Sequence, residues 1–356
     1  MTTSIARTQR AFVLPVVGGP ASLVIDHPVV QPDDLLPGRC LVRLTHSGVC
    51  HSDLGIKNKE FPNLPKANLV GGHEGVGTVV AIGAHTIGSK VKVGDRVGIK
   101  FLATACRNCE LCLKGFEGHC PEFLGHGNDV DGTFCEYAVA YVDFVTPIPN
   151  EVDSSDAAAI MCAGFTVYSA LRQSGLAIGE WLVILGAGGG LGHLAIQYAI
   201  AMGLCVIAID TGSVRKDLCL SLGASAFFDF RTSTSLIADV IAATHGGAHG
   251  VLVTAGNSAA YNSACMYLRP TGTLLVVGLP PGAMLQVPVI LVGGRGLNVK
   301  GVFIGNRKHA VEAIELAAAG KVKVKYTLRG LSELNTVYEE MSRGEIVGRV
   351  VLEIDK

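Results

Sequence analysis

Between Trp181 and Gly278 the chain alternates short apolar runs with segments of helical period, and this alternation restricts the fold more than any other feature. The runs at 181–186, 205–210, 226–230, 251–255 and 273–278 predict strands, and 191–202, 214–222, 236–243 and 259–268 predict the helices between them. Strands alternating with helices mean βαβ units, hence a doubly wound parallel sheet of the α/β class. The same reading disposes of a possible membrane span. Trp181 to Ile209 carries no formal charge and is long enough to cross a bilayer. Five glycines interrupt it, however, from Gly186 to Gly192, and His193 and Gln197 lie inside it. Parallel strands covered on both faces read as continuous apolar runs, so a strand, a turn, a helix and a second strand account for the stretch.

The first 150 or so residues have another texture, with short Val-rich runs at 40–44, 75–82, 95–99 and 136–140 set between Gly and Pro. That pattern predicts a β-rich, loop-rich domain. A run at 297–303, a helix at 308–319 and a last strand at 348–354 are expected to return to it. The expected division is a β-rich domain over 1–160, a nucleotide-binding domain over 161–298 and a return over 299–356, and 356 residues suffice for two cores. With 29 Lys+Arg against 30 Asp+Glu the net charge is −1, which offers neither nucleic acid nor a membrane surface an electrostatic footprint. Residues 1–10 contain no apolar signal core, so the 11 cysteines are expected in the reducing cytosol, where clustered Cys bind metal. Arg7 and Arg10, with no acid nearby, leave a short mitochondrial presequence as the lesser alternative.

Two constellations have metal-ligand chemistry. Cys106, Cys109, Cys112 and Cys120 form C-x2-C-x2-C-x7-C, and four thiolates on one loop can close a tetrahedron around Zn2+ with no open position. An iron–sulfur cluster, disulfides or plain core cysteines remain open on spacing alone. The second set is dispersed: Cys50, the His73-Glu74 pair and Cys162. Two thiolates and one imidazole leave a fourth position for water or substrate, as catalytic zinc requires.

Gly48-Val-Cys-His-Ser-Asp-Leu54, Gly72-His-Glu-Gly75, the four-Cys loop, Cys162-Ala-Gly-Phe-Thr-Val-Tyr168, Gly186-Ala-Gly-Gly-Gly-Leu-Gly192 and Ile346-Val-Gly-Arg-Val350 together resemble the zinc-dependent alcohol dehydrogenases. These belong to the medium-chain dehydrogenases, and the pattern is similar to their yeast-type, short tetrameric branch. The resemblance begins near Thr8 and implies a GroES-like catalytic domain beside a Rossmann domain. It implies a catalytic zinc on Cys50, His73 and Cys162, with Glu74 able to approach it and Asp53 orienting the His73 ring. It implies a homotetramer, and a structural zinc on Cys106, Cys109, Cys112 and Cys120.

Glycines between a strand and a helix let the backbone approach a pyrophosphate at the helix N-terminus. The run here, with Gly188, Gly189, Gly190, Leu191 and Gly192, is one residue longer than G-x-G-x-x-G. Asp210 ends the next strand, where an acid accepts ribose hydroxyls and repels a 2′-phosphate, so NAD is expected and not NADP. The resemblance further implies Arg215 near the ribose, Phe230 near the adenine, His51 and Arg349 at the phosphates, and Thr166 and Val277 against the nicotinamide.

Zinc acidifies a bound alcohol as it does bound water. The resemblance implies that the Ser52 hydroxyl takes the proton and passes it to the nicotinamide ribose. In the yeast-type branch the relay ends at a histidine, where this chain has Gly55. Protons are therefore expected to leave through water or His51, and a Gly55→His variant would test this. The pocket departs as well. Phe61 and Phe101 stand in place of two tryptophans, and Leu279 in place of a methionine. A wider pocket, and a preference for longer or aromatic primary alcohols over ethanol, is the expectation; a polyol or secondary-alcohol dehydrogenase is the alternative on the same scaffold, and a non-catalytic binding protein the alternative from another class.

Overall fold

The computed structural model describes residues 5–61 and 65–356, so residues 1–4 of the segment weighed as a presequence lie outside the described residues. The chain forms two compact units, one from residues 1–162, 306–318 and 326–356, the other from 163–305 and 319–325.

The first unit is built on a seven-stranded sheet. Its long strand Arg39–Val49 pairs antiparallel with Gly75–Ile82, with Tyr137–Tyr141 and with Arg349–Glu353. Register sets Val350 opposite Val49, so the C-terminal strand begins beside the residue that precedes Cys50. Its core is aliphatic, around Val42, Leu44, Val79, Val97 and Leu352, all nearly inaccessible. The helices here and just past the unit boundary lie outside the sequence expectation: His51–Lys57, Glu110–Leu113, Ser154–Ala159, Phe165–Ser174 and Leu334–Ser342. The first is too short, and too interrupted by Gly55, to show helical period.

The second unit holds six parallel strands in the order 226–229, 205–210, 181–185, 248–253, 268–276, 298–301. Numbered along the chain this is 3-2-1-4-5-6, the order of dinucleotide-binding sheets. Leu182 to Leu185 are buried on both faces of the central strand, which is why they read as an unbroken apolar run. Two boundaries differ from expectation. Helix Ala259–Ala264 stops short in a 3-10 turn, and strand Leu268–Val276 starts earlier because Leu268 already pairs with Ala248. Residues 298–301 pair with 273–276 and so complete the parallel sheet instead of opening the return. Residues 319–325 also side with this unit. Gln197 donates to the Lys323 carbonyl at 2.9 Å, and the Lys325 amide donates to His193 Nε2 at 3.2 Å. No helix among the described residues is long and apolar enough to cross a membrane.

Candidate functional site

Cys50 immediately precedes helix His51–Lys57, and its amide donates to Asp53 Oδ2 at 2.9 Å, which holds the first turn. The other oxygen, Oδ1, lies 2.8 Å from His73 Nδ1. An ionised carboxylate only accepts, so Nδ1 carries a proton, and Nε2 is the ring atom turned toward the sulfurs, free to offer its lone pair once the ring is neutral. One buried carboxylate thus fixes both the backbone of Cys50 and the ring of His73. Cys162 arrives from the π-turn Ile160–Gly164, an extra-residue turn that re-aims a side chain. Its Sγ stands 3.2 Å from His73 Nε2 and 4.0 Å from Cys50 Sγ.

Glu74 completes the cluster, all four ligand atoms lying within 4.8 Å of one another. Its Oε1 accepts from Arg349 and is 4.0 Å from His73 Nε2, while Oε2 is buried with no partner. Room for it comes from Gly48, where a Cβ would fall 2.0 Å from Oε2. Gly48 is a site residue the sequence reading gave no role. Burial pushes the Glu74 carboxyl up to about 7 against the pull of Arg349. The hydrogen bond between the two sulfurs lowers the Cys50 pKa and raises that of Cys162. Two sulfurs, one imidazole with its lone pair inward and an orphaned carboxylate oxygen are a donor set that fits a divalent cation.

Ser52 is half-buried with Oγ 3.7 Å from Cys50 Sγ, whereas His51 is exposed. Phe101 meets the His73 ring edge-on at 5.3 Å. Phe61 rests on the backbone of Gly55, where a Cβ would come 2.8 Å from its ring. The expected Gly55→His test therefore cannot be made alone, because Phe61 already fills the space a side chain would enter.

The four-Cys loop is compact. Sγ separations are 3.5 Å for Cys106–Cys120, 3.8 Å for Cys109–Cys120 and 3.9 Å for Cys106–Cys112. Backbone N–H groups of Cys106, Cys109, Cys112 and Glu122 point at the sulfurs of Cys120, Cys106, Cys109 and Cys120. The backbone amides of Asn108 and Cys109 hold the Cys106 thiol down to about 7, while burial pushes Cys112 up to about 12. Amides aimed at clustered sulfurs suit thiolates around a cation, and all 11 cysteines are free thiols.

In the second unit Gly186 takes φ +81°, and Gly192 opens helix Gly192–Ala201 so tightly that a Cβ would meet the Gly186 carbonyl at 2.1 Å. Gly188 donates to Asp210 Oδ2 at 2.8 Å, and the Thr211 amide to Oδ1 at 2.8 Å. Arg215 Nε lies 3.8 Å from Asp210 and its stem packs over Gly188, so glycine loop, acid and arginine converge. Gly189, Gly190 and Leu191 make the turn itself. Thr166 is buried with Oγ1 unpartnered, and Val277 is buried. Phe230 and Leu279 are about half exposed, Phe230 beneath the Arg231 guanidinium. Arg349, expected at a cofactor phosphate, is buried against Glu74 with its Nε unpartnered.

Residues 36–150 match the alcohol dehydrogenase GroES-like domain, and residues 190–319 the zinc-binding dehydrogenase domain. An alcohol dehydrogenase of Schizosaccharomyces pombe is 42% identical over 349 residues, 98% of each chain. The chain belongs to the zinc-binding alcohol dehydrogenase family. Among solved members of similar fold, the alcohol dehydrogenase of Aeropyrum pernix superposes with a TM-score of 0.86 at 29% identity, covering 97% of this chain and 100% of its own. The acetophenone reductase of Geotrichum candidum, solved in complex with NAD, gives 0.85 at 25% identity and 99% coverage of both. Zinc sites in proteins are closed where structural and open where catalytic, and the two clusters have those two donor sets.

Proposed function

We propose that this protein interconverts primary alcohols and aldehydes with NAD, using one zinc on Cys50, His73 and Cys162 and a second on Cys106, Cys109, Cys112 and Cys120. The observation that carries the reading is the Cys50–His73–Cys162 donor set with Asp53 behind it. When bound, zinc acidifies the alcohol hydroxyl and NAD accepts the hydride. Ser52 takes the hydroxyl proton, and with Gly55 unable to titrate, His51 or water carries it away. Asp210 holds the adenosine ribose, Arg215 lies beside it, Gly188 to Gly192 cradle the pyrophosphate and Phe230 lies at the adenine. Thr166 and Val277 support the nicotinamide, and His51 and Arg349 the phosphates.

Phe61, Phe101 and Leu279 shape the alcohol site, and phenyl rings leave room for longer or aromatic substrates. NADH formation by the zinc-loaded protein with ethanol, hexanol, benzyl and cinnamyl alcohols, repeated with NADP, tests all of this. Turnover with NAD that rises with alcohol bulk is expected; the highest kcat/KM on ethanol sinks the substrate assignment, and no turnover in either direction sinks the enzyme. The likeness to an acetophenone reductase favours one second reading, a secondary-alcohol dehydrogenase, which the same panel with 1-phenylethanol separates.

A cytoplasmic homotetramer is part of the proposal. The outer strand Asn298–Gly301 is exposed along its length, and the preceding helix Val289–Arg295 buries none of its residues, with Val289 85% exposed and Ile290 77%. An open edge beside exposed aliphatics suits pairing with a second copy. Sedimentation velocity should show an assembly that Val289→Asp with Ile290→Asp breaks; a monomeric wild type removes the idea.

A further inference from the structure

Helix Leu334–Ser342 buries Leu334, Val337, Tyr338 and Met341, the i, i+3, i+4, i+7 stripe of a core-facing helix. Packing asks only for the ring of Tyr338, and its hydroxyl has no hydrogen-bond partner among the described residues. Tyr338 lines a cavity of about 20 Å3 together with Asp53, Gly71 and Gly72. That volume holds one water molecule. Asp53 spends one acceptor position of Oδ1 on His73 and one of Oδ2 on the Cys50 amide, and a carboxylate has about four. Burial, reinforced by the charges of Asp53 and Cys50, holds the Tyr338 hydroxyl well above its ordinary pKa. It therefore remains protonated and a donor.

We propose that a single water in this cavity, accepting from the Tyr338 hydroxyl and donating to Asp53, makes Tyr338 a positioning residue for the metal ligand His73. The inference rests on the zinc reading of the Cys50–His73–Cys162 cluster. It ties the C-terminal helix to the metal centre through three links: Tyr338 to water, water to Asp53, Asp53 to His73. A carboxylate with its spare lone pairs engaged is held more rigidly, and so is the ring it orients.

The test compares full-length, zinc-loaded wild type, Tyr338→Phe and Asp53→Asn by the rate at which zinc passes to a chromophoric chelator and by the d–d spectrum after cobalt substitution. Tyr338→Phe keeps the ring and should release its more labile metal about tenfold faster, with a shifted cobalt envelope and unchanged circular dichroism. Asp53→Asn should show at least as large an effect. If Asp53→Asn changes both readouts and Tyr338→Phe neither, Tyr338 is core packing and the proposal is overturned. If both variants match wild type, Asp53 does not orient a metal ligand and the proposal falls; a wild type that binds no zinc or cobalt at the Cys50–His73–Cys162 cluster overturns the zinc reading itself. A crystal structure of the wild type with the cavity dry also overturns it, whatever the variants do.

Discussion

At the scale of single residues, much of the site follows from what one side chain can hold. Asp53 caps a helix with one oxygen and sets the histidine tautomer with the other, so its loss is felt at two ligands together. Gly55 is defined by its neighbour. Any Cβ there meets the Phe61 ring at 2.8 Å and Glu60 Oε2 at 3.1 Å, so a side chain at 55 and the ring at 61 compete for one volume. Gly55→His should cost about 1–3 kcal/mol in urea unfolding, as overpacked cores do, and Phe61→Ala in the same chain should recover most of it. Additive losses in the double variant would show that the two positions do not share space. The relay question then belongs to the double variant, whose pH profile should gain a group that titrates near neutrality while the parent's does not. Asp210→Ala should lower kcat/KM for NAD and narrow the preference over NADP, measured as initial rates with each cofactor.

At the scale of elements, the four-Cys loop is fastened by more than its sulfurs. Glu117, buried inside it, accepts from the Arg307 amide at 3.1 Å and from Arg307 Nε at 2.6 Å, and Asn306 donates to the Gly115 carbonyl at 3.0 Å. The loop is thereby tied to the start of helix Arg307–Ala318, where the chain re-enters the first unit. Glu117→Gln keeps the shape but removes the charge facing a half-exposed arginine, and a loss of about 1–3 kcal/mol is expected. Amide exchange should quicken at 106–120 and 306–310 and leave the parallel sheet untouched; protection unchanged in the first two segments would show that sulfur–metal bonds alone hold the loop. Spacing revealed the four cysteines because ligands within fifteen residues share one local turn. It gave no sign of Glu117, whose partner is 190 residues away.

At the scale of the whole molecule, Lys100 sets a pH dependence. It is wholly buried, donating to the Phe144 carbonyl and to Thr146 Oγ1, and burial draws its pKa down to about 7 against the pull of Glu117. Unfolded, it titrates near 10.5. Between those values the unfolded chain binds the extra proton, so this group's cost to the folded state is greatest below pH 7 and is relieved as pH rises towards 10.5. The unfolding free energy of wild type relative to Lys100→Met should climb with pH by up to about 1.4 kcal/mol per unit, and a flat difference would mean the amine stays charged. What the sequence determined by itself was chemistry of short range. The glycine run, the acid closing the next strand, the four-Cys loop and the alternation of strand and helix each rest on residue type and local spacing, which survive without knowledge of the rest of the chain. The tertiary structure alone decided that Asp53 serves both Cys50 and His73, that Glu74 meets Arg349 from 275 residues away, that Phe61 closes over Gly55 and that Tyr338 shares a cavity with Asp53. Sheet register and helix docking set most of these pairs, and apolar packing fixes both to the ångström while leaving no pattern in the order of the residues.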